Sequence, residues 1–88
     1  MKNLTKKQQA INYYLQGNFK KSFAILRNFN LTFNNDEIRL FEISHEIFNG
    51  HELFYKQLGQ DTVSILKNAN ILAKKYIDHS LNKQNAIN

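Results

Sequence analysis

The sequence predicts an all-α fold: a compact single-domain bundle of about five helices with short connections. Three observations carry this expectation. Apolar residues recur at helical spacing along the whole chain. There is no proline, and valine (one) and threonine are scarce, which favours helix over sheet. Each of the 3 glycines falls where an apolar stripe ends, the place at which a left-handed residue stops a helix.

The first helix is expected over about residues 5–16. Thr5 and Gln8 form a capping-box pattern. Ala10, Ile11, Tyr14 and Leu15 supply an apolar stripe, and Gly17 the stop. Asn18 then caps a second helix over about 19–29, on which Phe19, Phe23, Leu26 and Phe29 share a face. Asn34 and Glu37 repeat the capping logic for a third helix over about 35–49, and Asp36 and Glu37 suit its positive end. Ile38, Leu40, Phe41, Ile43, Ile47 and Phe48 cover so much of its circumference that it reads as the central helix.

Asn49-Gly50 should end the third helix. A short helix over about 51–58 is expected to turn Leu53, Phe54 and Leu58 inward, with Gly59 as its stop. Asp61 or Thr62 caps a last helix over about 62–80, whose stripe runs through Ile65, Leu66, Ala69, Leu72, Ala73, Tyr76 and Ile77. Residues 1–80 thus read as one domain, and the polar stretch 81–88 as a frayed tail.

Composition narrows the function classes. The chain has 88 residues, 42% hydrophobic content and no cysteine. It is too apolar for a disordered chain. Without cysteine it has no disulfide scaffold and no thiolate metal site. No apolar run approaches the ~20 residues of a membrane span, and the basic N-terminal stretch lacks the apolar region of a secretory signal. A cytoplasmic protein without membrane contact is the expectation.

The net charge of +5 is unevenly placed. Residues 1–31 carry +6, residues 32–61 carry −4 and residues 62–88 carry +3. Two candidate surfaces follow. Lys6, Lys7, Lys20, Lys21 and Arg27 form a basic set on the first two helices, suited to nucleic acid or an acidic protein surface. Asp36, Glu37, Glu42 and Glu46 form an acidic alternative on the third. The two sets could also simply attract each other within the fold. Tyr13 and Tyr55 are the rings expected at the surface, while the phenylalanines fall on apolar stripes.

Catalytic chemistry finds no foothold. There is no glycine-rich phosphate loop and no nucleophile elbow. His45 and His51 lie six positions apart rather than the four of a zincin helix. Glu42 and Glu46 share a face, but no histidine joins them in a di-iron pattern. No catalytic residue, metal ligand or cofactor is assigned. A helix-turn-helix reader would place an acidic helix, with Asp36, Glu37, Glu42 and Glu46, against phosphate, which opposes it.

Tyr14-Leu15-Gln16-Gly17-Asn18-Phe19-Lys20-Lys21-Ser22-Phe23 and Phe54-Tyr55-Lys56-Gln57-Leu58-Gly59-Gln60-Asp61 together resemble small phage- and prophage-encoded helical proteins of unassigned function. The resemblance implies a role of the kind played by anti-CRISPR and related anti-defence inhibitors. It carries over no site residue. The expected function is therefore that of a non-enzymatic, phage-type protein that binds and inhibits or regulates a host protein or ribonucleoprotein, such as a CRISPR effector nuclease. A small helix-turn-helix-like nucleic-acid-binding regulator is the alternative, and a monomer or small homo-oligomer the expected state.

Overall fold

A computed structural model describes the backbone of residues 4–86 and the side chains of residues 4–82. Ile87 and Asn88, at the end of the expected tail, lie outside the described residues. So does Lys2, the first base of the N-terminal set. The described chain is all-α, with no strand.

Helix α1 spans Lys6–Leu15, α2 Phe19–Leu26, α3 Asn35–Glu46, α4 Glu52–Gln57 and α5 Thr62–Ala86. A π-helical turn, Ile47–His51, joins α3 to α4. With α3, this turn and α4 taken as one kinked run, the described chain holds 4 helical runs where about five helices were expected. The Asn49-Gly50 stop is real in one respect. Gly50 takes a left-handed φ of 97°, which kinks the axis between α3 and α4.

The capping logic explains the starts. Thr5 and Gln8 make both bonds of a capping box on α1. Asn34 and Glu37 do the same for α3 at 2.9 Å each. The Asn18 side chain accepts from Lys21 N–H to cap α2. Asp61 accepts from the backbone and hydroxyl of Ser64 at the start of α5, and these bonds hold its carboxyl below the ordinary value. The last helix runs to Ala86, beyond the expected end near residue 80.

The four long helices alternate in direction. α1 and α2 form a hairpin in which the buried Ser22 hydroxyl donates to the Ala10 carbonyl at 2.8 Å. Tyr14 donates to Asn70 at 2.9 Å, and the Lys7 ammonium lies 5.9 Å from the Tyr76 ring centre, so α1 runs antiparallel to α5. Packing follows chain order: α1 on α2, α2 on α3, and α3 on α5.

The main core gathers Ala10, Phe23, Leu26, Phe33, Ile38, Phe41, Ala69 and Ala73. Phe41 sits at its centre, 5.2 Å from the Phe23 ring and 5.1 Å from Phe33. A second cluster of Ile43, Ile47 and Tyr55, backed by Ile65 and Leu66, seats α4 on the lower part of the bundle. Ser44 is fully buried, and its hydroxyl has no hydrogen-bond partner.

Helix α4 reverses the expected orientation. Leu53, Phe54 and Leu58 are 67%, 54% and 60% exposed, whereas Tyr55, expected outside, is 5% exposed. The cause is polar as well as apolar: buried Tyr55 donates its hydroxyl to Glu46 at 2.7 Å. That bond fixes which side of α4 meets the bundle. Phe48 and Leu15, placed on inward stripes by their spacing, are also exposed. The chain is elongated, 49 × 26 × 21 Å, with a radius of gyration of 13.9 Å. A globular chain of this length would have about 12 Å. The 25 residues of α5 would span ~37 Å as a straight helix, which is most of the long axis.

Candidate docking surfaces

The basic set divides over three places. Lys20 in the first turn of α2 and Arg27 at its C-cap are seven positions apart and share a face beside α3. There they bear on His45, whose imidazole lies below its ordinary 6.5 through burial first, then through Arg27 and Lys20, with Glu46 opposing. Asn49 approaches His45 Nδ1 at 3.4 Å. Lys21, one position round the helix, instead reaches over the Tyr13 ring at 5.5 Å. Lys7 lies against Tyr76, and Lys6 lines a shallow groove with Ala24, Ile25, Asn28 and Phe29. Lys20 and Arg27 therefore make a cationic edge beside His45, between α2 and α3, while Lys7 and Lys21 lie against tyrosine rings and Lys6 lines its groove.

None of these bases is paired with an acid among the described residues. The ion pairs found there are Arg39–Glu42, Lys56–Glu52 and Lys74–Asp78, each within one helix. Among the described residues no ion pair joins the basic hairpin to the acidic helix. The acidic set is largely committed elsewhere. Glu37 closes the α3 capping box, Glu42 meets Arg39 at 3.9 Å, and Glu46 accepts from Tyr55. Asp36 stands exposed in the first turn of α3. The acids do not form a free face comparable with the cationic edge.

No group of three or more metal-ligating side chains occurs among the described residues. His51 Nδ1 lies 3.2 Å from the Glu46 carbonyl. His79 lines a second groove of about 370 Å3 with Thr32, Phe33, Glu37, Leu72, Lys75 and Tyr76. No described helix is long and apolar enough to cross a membrane.

The sequence did not reveal the apolar end. Leu15, Phe48, Leu53, Phe54, Leu58 and Val63 are all exposed. They belong to the end of α1, the π-turn, α4 and the start of α5, which the alternating helices bring to one end of the bundle. A signal was present in hindsight. Leu53-Phe54-Tyr55 offers three large apolar residues in a row, more than a six-residue helix can bury on one side.

The His45 environment has a measurable consequence. A depressed imidazole value means that the folded chain takes up a proton less readily than the unfolded chain. Stability is therefore full where both states are neutral and falls as pH drops below the unfolded value near 6.5. The midpoint of urea unfolding is expected to fall between about pH 7.5 and about pH 5.5. His45→Gln should flatten that dependence; an unchanged slope would mean that other groups set it.

No protein-family model matches the chain, and no curated protein and no solved structure matches it.

Proposed function

We propose that this chain is a non-enzymatic binding protein of the phage type, which acts by docking on a host protein or ribonucleoprotein in the cytoplasm. The observation that carries this reading is the cationic edge: Lys20 and Arg27 share a face, bear on His45 and have no acidic partner among the described residues. Unpaired like charges held together oppose folding slightly, and an anionic partner would reverse that penalty. An acidic protein surface, or one that normally holds nucleic acid phosphate, has the complementary charge.

A helix-turn-helix mode finds less support. The eight residues Arg27–Asn34 connect α2 to α3, longer than the three or four of that motif. The cationic edge also lies on the first helix of the pair, not on the one that would enter the major groove.

The test uses the wild-type chain and Lys20→Ala/Arg27→Ala as baits on host extract. A stoichiometric partner held by wild type and lost, at least tenfold, by the double variant is the expected result. Equal capture by both would sink the role of the edge. A gel shift with bare duplex or single-stranded nucleic acid at two salt concentrations decides the alternative. Binding that strengthens as salt falls, with no protein partner recovered, would make the chain a nucleic-acid binder.

A further inference from the structure

The apolar end has a chemistry different from that of the cationic edge. Phe54 on α4 and Leu58 at its C-cap lie one turn apart, and Leu53 flanks them. The side chain between Leu53 and Phe54 on the helical wheel is Gln57, so the strip from Leu53 to Phe54 carries no charge of its own. Both charged residues of α4 fall on its other side. There Lys56 pairs with Glu52 at 3.6 Å, and Glu52 also accepts from the buried Thr62 hydroxyl at 2.9 Å.

Area identifies the occupant. Leu15, Phe48, Leu53, Phe54, Leu58 and Val63 are between 39% and 69% exposed. Side chains of this size and exposure offer about 100 Å2 each, so the end presents about 600 Å2 of apolar surface. A stable interface buries about 800 Å2 on each partner, and in homodimers about 65% of it is apolar. The apolar area at this end therefore matches what one subunit of a homodimer supplies.

We infer that the chain forms a twofold symmetric dimer through this end, with Leu53 and Phe54 of α4 and the following Leu58 at the centre of the contact and Leu15, Phe48 and Val63 completing it. An isologous contact needs only one self-complementary patch, which a short convex helix beside a kink can provide. The inference stands apart from the proposed function, because α4 carries none of the residues of the cationic edge.

Sedimentation velocity of the full chain tests it. Wild type is expected to pass from monomer to dimer as concentration rises to about 100 µM. Phe54→Glu/Leu58→Glu should remain monomeric over that range, with a dissociation constant raised at least tenfold. Both residues are exposed, so the circular dichroism of the double variant should match wild type. Leu53→Glu gives an independent reading if the double variant loses helicity. Leu31→Glu, at a position fully exposed on the α2–α3 connection, should dimerise like wild type. A wild type that stays monomeric throughout overturns the dimer, and variants that dimerise unchanged overturn the face.

Discussion

Phe41→Ala should remove most of the stability of the fold. The Phe41 side chain is fully buried, and its ring meets Phe23 and Phe33 on two sides. Three elements pack through it: α2, the connection before α3, and α5 through Ala69 and Ala73. Truncating such a ring costs about 3–5 kcal/mol, from lost transfer energy and the cavity left behind. Domains are stable by only about 5–15 kcal/mol, and one of this size lies toward the lower end. The expected result is a urea midpoint reduced by half or more and a melting temperature lower by tens of degrees. Leu31→Ala is the control, since Leu31 is fully exposed and should shift the midpoint little. A small effect for Phe41→Ala would mean that neighbouring rings collapse into the space.

Ala73→Leu should destabilise from the opposite direction. Ala69 and Ala73 are both 0% exposed and lie one turn apart on α5. Their small side chains leave the facing aromatic rings the space between helices. Leucine at 73 adds volume where no side chain can move outward, and overpacking of this kind costs about 1–3 kcal/mol. Equilibrium unfolding in urea would show it as a lower midpoint with an unchanged slope. A neutral result would reveal an unfilled void beside α5.

These two positions were legible in the sequence, because both sit in the middle of long amphipathic stripes. Spacing places Phe41 and Ala73 inward whatever the neighbours are, and the caps at Thr5, Asn18 and Asn34 need only local bonds. Helix α4 was not legible in the same way. Six residues make fewer than two turns, so the Phe54–Leu58 stripe and the single Tyr55 compete for one inward face. The choice is made by Glu46, nine positions earlier and brought close by the kink at Gly50. The basic set was legible as composition but not as a surface. Lys20 and Lys21 are adjacent in sequence yet point about 100° apart on a helix, so one joins Arg27 and the other a tyrosine ring.

The order in which the helices pack bears on how the chain acquires its shape. Each long helix rests mainly on the one before or after it, so few contacts require distant parts of the chain to meet first. Topologies of that kind fold in microseconds to milliseconds, since little loop-closure entropy is lost before contacts form. With no proline in the sequence, no slow peptide-bond isomerisation delays the last step. The protein is built to be ready almost as soon as it is made.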